Sequence, residues 1–149
     1  MNMDEKKFVI KRGFSDGYSR ELIINNNFLK FEDKDTANNR FTIFKSSEIT
    51  DYRFGIRWIR FELTFGREYQ IFVRNKDNKT IKISFKSYFG RKRNILHRQY
   101  IDIQDELWLS FFGKMVDNYL EKFEKEIEFS IGDVLFNVNY IVLNVSGIV

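Results

Sequence analysis

The sequence predicts a mainly β fold with one long helix, classed as α+β. Most of residues 8–85 consist of strand-like apolar runs, several with period-two alternation of apolar and polar residues, and the short connections favour an antiparallel sheet. An apolar residue at every fourth position then marks a helix over residues 103–127, and β-branched residues after it predict a C-terminal β-hairpin. We therefore expect about seven strands, in a strongly bent sheet or a partly open barrel, capped by an amphipathic helix.

The first four strands are expected to be short. They are predicted at Phe8–Arg12, Arg20–Ile24, Phe28–Glu32 and Phe41–Phe44, with polar residues between them. Three asparagines, Asn25–Asn27, separate the second strand from the third. Because asparagine tolerates the left-handed backbone of tight turns, these two strands are predicted to form a hairpin.

The next stretch, YRFGIRWIRFELTF, contains a change of phase. Apolar residues occupy even positions in 52–58 and odd positions in 59–65. Since strand side chains alternate between faces, this one-residue slip predicts a β-bulge or a sharp bend where the two phases meet. Gly55 offers a second place to bend. Strands at 69–74 and 80–85 follow and complete the set of seven.

The helix is predicted from a wide apolar stripe. Asp102 is expected to be its N-cap, and Asp105 and Glu106 suit the positive end of the helix dipole. An isolated helix with this stripe would expose it to water, so we expect the helix to pack on the sheet or on another chain. The stripe consists of Ile103, Leu107, Phe111, Met115, Tyr119, Phe123 and Ile127, with a second row of Trp108, Phe112, Val116 and Leu120.

The composition argues against catalysis. The chain has no cysteine and one histidine, which leaves no thiolate nucleophile and no histidine-based metal site. Glycine-rich phosphate loops are absent from the sequence. We therefore expect no enzymatic activity, metal, cofactor or small-molecule substrate. Because the sequence shows no leader peptide and no apolar run of transmembrane length, we expect a cytoplasmic protein, with peripheral attachment to a membrane as the alternative.

The order of elements resembles the pleckstrin-homology-like (PH-like) superfamily, in particular small bacterial PH-like domains. Seven strands, the bend expected at 55–59 and the helical stripe carry this resemblance over about residues 18–125. It implies a non-enzymatic module that binds peptides or neighbouring subunits at a sheet edge or beside the helix. Residues 1–126 are then expected to form the PH-like domain and 127–149 the C-terminal β-hairpin. The alternative fold is an α+β sandwich with the helix across an open sheet.

Basic residues concentrate before the predicted helix. Residues 76–100 carry eight basic and one acidic side chains, whereas 101–149 carry three basic and nine acidic. The basic segment is interpreted either as an anion site for acidic lipid headgroups or nucleic-acid phosphate, or as a solvated loop that pairs with the acidic helix start. The loop that would hold a PH-like inositide site is expected at Asn25–Asn27, without a cation. The candidate anion-binding residues are Lys86, Arg91, Lys92, Arg93, His97 and Arg98.

A second basic set, Arg53, Arg57 and Arg60, alternates with the aromatic residues of 52–61. Cations between aromatic residues can grip and stack single-stranded nucleic acid. Period two, however, sends the arginines and the aromatic residues to opposite faces of a strand. We therefore expect the aromatic residues inside the fold and the arginines outside.

Two eleven-residue segments near the ends of the chain resemble each other. ELIINNNFLKF begins at Glu21, and DVLFNVNYIVL begins at Asp133, 112 positions later. One hypothesis is that residues 131–149 begin a second PH-like unit. The other is that they form an extra hairpin that completes a sheet, including a sheet shared between subunits. Because an unpaired strand edge pairs readily with another chain, we expect a protein partner or self-association, with the interaction edge at Tyr140, Val142 and Val145.

Overall fold

Three antiparallel sheets and one long helical segment make up the fold. Seven strands precede the helical segment, as predicted, and three short strands follow it. The prediction of a mainly β fold with one long helix is therefore confirmed. The structure, a computed structural model, describes residues 5–13, 16–34, 40–60, 62, 64–88 and 93–143.

The first sheet pairs four strands in sequence order. They are β1 (Lys6–Ile10), β2 (Arg20–Ile24), β3 (Phe28–Glu32) and β4 (Phe41–Lys45). The bounds of β2 and β3 are those predicted, and β1 and β4 differ from the prediction by one or two residues. These strands were recognisable as short apolar runs bounded by polar residues. The buried face consists of Ile10, Leu22, Ile24, Leu29, Phe31 and Phe44.

Asn25 shapes the turn between β2 and β3 through its side chain. Its Oδ1 accepts hydrogen bonds from the backbone N–H groups of Asn27, at 2.8 Å, and Phe28, at 3.0 Å. The predicted hairpin is confirmed, but the expected left-handed backbone is not. Among the described residues other than glycine, positive φ occurs at Asn78 and Glu126. Asparagine suits this turn because its side chain accepts backbone hydrogen bonds.

The second sheet contains β5 (Ile49–Arg60), β6 (Thr64–Asn75) and β7 (Thr80–Tyr88), paired in that order. The pairing is regular from Asp51 to Ile59, so the β-bulge predicted near Trp58–Ile59 is not found there. The nearest register shift lies between Ile59 and Arg60 and leaves Phe65 of β6 without a facing residue. The strand predicted over 52–65 is too long, because the chain reverses direction between β5 and β6. The change of phase therefore reflects the hairpin and the register shift beside it.

The helical segment begins ten residues earlier than predicted. It comprises α1 (Arg93–Leu107), a π-helical turn (Trp108–Phe112) and α2 (Gly113–Glu124). Asp102 is therefore not an N-cap: it lies inside α1 and forms a salt bridge with Arg98 at 2.9 Å. The polar character of the first two turns hid the helix start. Leu96 and Tyr100, which pack against or within the core, extend the apolar stripe back along these turns.

Both sheets and the first half of the helical segment share one core. Tyr52 stacks on Phe112 with ring centroids 3.8 Å apart, which joins the second sheet to the π-helical turn. The chain just after β1 contacts β7, where the Lys86 N–H donates to the Arg12 carbonyl at 3.1 Å. Buried residues of the second sheet and the helix include Tyr69, Ile71, Val73, Ile81, Ile83, Phe85, Ile103 and Leu107. The expected packing of the helix on the sheets is thus confirmed for α1.

The C-terminal residues form a third sheet. It consists of β8 (Phe129–Ile131), β9 (Val134–Asn137) and β10 (Tyr140–Leu143), with β9 in the middle. The predicted C-terminal hairpin corresponds to β9 and β10, and β8 adds a strand to it. Gly132 has a φ of 57° in the turn between β8 and β9, a conformation that glycine adopts without steric cost. Residues 144–149 lie outside the described part of the chain.

The two similar segments fold into hairpins of the same register. In the first, β2 pairs with β3 so that Ile24 faces Leu29. In the second, β9 pairs with β10 so that Phe136 faces Ile141, which is the same pair shifted by 112 positions. The turn is also shared, since the Oδ1 of Asn137 accepts a hydrogen bond from a backbone N–H two residues later, at 3.0 Å. The sequence similarity therefore corresponds to a shared local structure.

Candidate functional site

Exposed apolar side chains concentrate in the C-terminal part of the described chain. Of the sixteen large hydrophobic residues that are exposed among the described residues, eight lie within residues 120–143. Concentrations of this kind are typical of binding surfaces, because isolated soluble proteins cover most such area. We use the name C-terminal surface for these exposed side chains, which lie on α2, after it and on both faces of β10: Leu120, Phe123, Ile127, Val138, Tyr140, Ile141, Val142 and Leu143.

α2 extends away from the core that α1 helps to fill. None of its twelve residues, all of them described, is buried. One side of α2 is attached to the rest of the fold, since the Tyr119 hydroxyl donates to the Thr50 carbonyl at 2.8 Å and the Tyr119 ring stacks on Phe129. Leu120 and Phe123 remain exposed. These two residues of the predicted stripe are therefore available to a partner.

β10 forms the outer edge of the third sheet. Among the described residues, no strand pairs with its far side. Its four residues are apolar and 45–67% exposed. The predicted edge residues Tyr140 and Val142 lie on this strand, and Val145 lies outside the described residues. The Tyr140 hydroxyl donates to Glu128 at 2.7 Å, and this hydrogen bond and the negative charge of Glu128 raise the pKa of Tyr140.

A basic groove of about 500 Å³ lies where the loop between β1 and β2 meets β6 and β7. Lys82, Ser84, Lys86 and Tyr88 occupy alternate positions of β7 and therefore project from one face of the strand. Arg12 adds a third cation from the loop. Among the described residues, no carboxylate lies within ion-pair distance of either lysine.

The two acidic residues that line the groove are matched by arginines. Asp16 forms a salt bridge with Arg20 at 2.7 Å, and Glu68 forms one with Arg57 at 2.5 Å. A hydrogen bond from the Tyr18 backbone N–H, together with Arg20, holds the pKa of Asp16 below its usual value, so this carboxylate stays ionised and paired. The lysine charges of the groove therefore remain available to an outside anion.

The structure separates the predicted anion-binding residues. Lys86 lies in the basic groove, whereas Arg93, His97 and Arg98 lie on α1. Their expected position in a loop before the helix is therefore wrong, because that helix starts at residue 93. Arg98 is paired with a helix carboxylate, as the alternative interpretation of this segment expected. Arg91 and Lys92 lie outside the described residues.

Arg12 and Lys82 belong to the groove although sequence reasoning does not single them out. Arg12 lies in the loop 11–19, which connects β1 to β2. The Asn25–Asn27 loop connects β2 to β3, as expected, and carries no cation. The groove takes its third cation from the preceding loop instead. Lys82 is an ordinary polar position of an alternating strand. Strand pairing brings these residues together, and their spacing in the sequence gives no signal of it.

At the end of the β5–β6 hairpin, aromatic residues are exposed although the alternation of side chains predicted that they lie inside the fold. Phe54 packs against the core as expected, but Trp58 and Phe65 are half exposed. Arg67 lies over the Trp58 ring at 4.5 Å, and Phe65 contacts Tyr88 of the basic groove with ring centroids 5.4 Å apart. β5 and β6 extend beyond the core here, so the inner face of the sheet continues into solvent.

Comparison of the chain with protein-family models, with curated proteins and with solved structures gave no match. Within the described ranges, no helix is long and apolar enough to cross a membrane. The candidate function therefore depends on the geometry of two surfaces, the C-terminal surface and the basic groove.

Proposed function

We propose that this chain is a non-enzymatic PH-like module that binds a protein partner through the C-terminal surface. One observation carries the proposal: half of the exposed large hydrophobic residues of the described chain lie within residues 120–143. Covering such side chains removes apolar area from water, which is the main driving force for protein association. The unpaired edge of β10 adds backbone groups that can extend a sheet into the partner.

The arrangement of the sheets supports the PH-like part of the proposal. A four-stranded sheet and a three-stranded sheet pack into one core with the helix that follows them. The resemblance in element order implies such a bent sheet with a helix at its open end. The contact between β1 and β7 brings the two sheets together along one side, which fits a partly open barrel.

Leu120→Glu tests the proposed function. Leu120 is 55% exposed, so the substitution should leave folding intact and place a charge on the C-terminal surface. We expect the variant to bind its protein partner at least tenfold more weakly, because burying a leucine contributes about 1.5–3 kcal/mol. The partner is captured from the source lysate on immobilised wild-type protein, and its affinity for both proteins is then measured.

The matched control for this experiment is Ile95→Glu. Ile95 is 66% exposed and lies on α1, outside the C-terminal surface, so its replacement should leave binding unchanged. Equal losses in the two variants would contradict the assignment of the surface. A strictly monomeric wild type that retains no partner would contradict the proposed function itself.

A second candidate function is anion binding at the basic groove. Lys82 and Lys86 have no carboxylate partner among the described residues, and Ser84 and Tyr88 add hydroxyl donors beside them. Such donors suit the phosphate oxygens of acidic lipid headgroups or of nucleic acid.

Lys86→Glu is expected to weaken binding to anionic vesicles or to a single-stranded oligonucleotide by about tenfold or more at low salt. The substitution reverses one charge, and each basic residue near an anionic surface contributes about 1 kcal/mol. Wild-type binding should also fall steeply as salt is raised. Vesicle co-sedimentation and oligonucleotide titration measure both effects, with Lys45→Glu on β4 as the control. If the wild type binds neither probe at low salt, this second function is wrong.

A further inference from the structure

We infer that β10 pairs with β10 of a second copy of this chain, antiparallel, with Val142 facing Val142 of that copy. The inference rests on the proposed function and names its partner. Pairing of this kind would join the two C-terminal sheets into one six-stranded sheet with β8 at each end. A two-fold axis through the Val142 pair would close the assembly at two copies.

The hairpin geometry sets this register. Asn137 and Tyr140 flank a two-residue turn, so their backbone groups bond to each other, and those of Val142 also point toward β9. The N–H and C=O groups of Ile141 and Leu143 then point away from β9. If the pairing is centred on Val142, Ile141 of each copy faces Leu143 of the other. All of these outward N–H and C=O groups then form hydrogen bonds between the two copies. Centring the pairing on Ile141 would bond only half of them.

The N-terminal hairpin shows how an edge of this kind is completed. β3 corresponds to β10, and its outer edge pairs antiparallel with β4, so that Leu29 faces Phe44. Leu29 and Phe31 are the equivalents of Ile141 and Leu143. With β4 in place, Leu29 and Phe31 are fully buried, whereas Ile141 and Leu143 are exposed. By this equivalence, β10 lacks one antiparallel neighbour.

The charge pattern favours an identical strand as that neighbour. Residues 134–143 carry no charged side chain, so two copies approach without like-charge repulsion. Two edges of the other sheets carry features that prevent pairing: β4 ends in Lys45, and β5 contains three arginines and a bulge. β10 has neither a charge nor a bulge. Its partner strand must be neutral and apolar, and β10 itself is such a strand.

A single cysteine at position 142 tests the register. The chain has no cysteine, so Val142→Cys introduces one thiol per copy. Facing residues of this unbonded type lie about 4.5 Å apart at Cα, within the range of a disulfide. We expect the wild type to be a dimer by light scattering, and Val142→Cys to form disulfide dimers at least tenfold faster than Val138→Cys under mild oxidation. Val138 is a matched control because it is also a valine, is also 45% exposed and lies in the turn.

Either a monomeric wild type or equal disulfide rates in the two variants would overturn the inference. Open-ended assemblies without a discrete dimer would overturn it as well, since a two-fold pairing closes. If a monomeric wild type still captures a protein that Leu120→Glu loses, the proposed function stands and self-pairing is wrong. Both substitutions replace half-exposed valines, and unfolding curves of the reduced variants verify that each is folded.

Discussion

Phe112→Ala is expected to lower the free energy of unfolding by about 3–5 kcal/mol. Phe112 is fully buried, and its ring lies 3.8 Å from the Tyr52 ring and 5.9 Å from the Phe54 ring, centroid to centroid. The side chain thereby joins the helical segment to the second sheet. Its removal leaves a cavity that the paired strands around it cannot fill by small shifts. Denaturant unfolding followed by circular dichroism measures the loss.

Leu109→Ala is the control for this substitution. Leu109 belongs to the same π-helical turn but is 72% exposed, and alanine favours helix at least as well as leucine does. We expect a change within about 0.5 kcal/mol, as for most surface positions. If Phe112→Ala lowered the free energy of unfolding no more than Leu109→Ala does, the turn would not pack on the second sheet. The core that unites the two sheets with the helix would then be wrong at its helical end.

The first strands were predictable from local sequence pattern. β2 and β3 are short, mostly buried apolar runs separated by the polar turn Asn25–Asn27, which is a pattern typical of strands in a hairpin. An interruption within residues 52–65 was predictable as well, since a change of apolar phase cannot continue along one regular strand. The hairpin that ends β5 was not, because the residues around that reversal continue the apolar pattern without a break.

The start of the helix was not predictable from its polar residues. Arg93 and Arg98 belong to exposed turns, where side-chain polarity gives no information about backbone conformation. Leu96 and Tyr100 carry the missing signal, because they extend the apolar stripe by two turns. Because the helix was predicted to begin after Asp102, Arg93, His97 and Arg98 were expected in a loop, whereas they lie on α1.

The two candidate surfaces differ in how far the sequence reveals them. Each strand of the C-terminal surface follows from local residues, and the resemblance between the two Asn-containing hairpins extends to their register. The basic groove depends instead on the pairing of distant strands. Arg12 meets Lys86 because the chain just after β1 contacts β7, a contact between residues 74 positions apart that no local pattern encodes. A site formed by long-range pairing needs the structure before it can be recognised.

Gly66→Ala is expected to destabilise the fold by about 1–3 kcal/mol, the usual cost of overpacking. A β-carbon at this position would lie 2.6 Å from the Ser87 carbonyl oxygen and 3.3 Å from Cδ1 of Tyr88. Gly66 faces Tyr88 in the ladder between β6 and β7. The nearest obstacle is therefore backbone, which cannot move aside without breaking ladder hydrogen bonds. Thermal and denaturant unfolding of the variant measure the effect.

Gly55→Ala makes the same chemical change in β5 and should have the opposite sign. An added β-carbon there meets no atom within 4 Å, so alanine restricts the unfolded chain without a clash and should stabilise by about 0.4–1 kcal/mol. The comparison separates close strand approach from the general effect of replacing glycine. If both variants gained stability, β6 and β7 would have to lie further apart at Gly66 than the structure places them. The position of Tyr88, which lines the basic groove, would then be wrong as well.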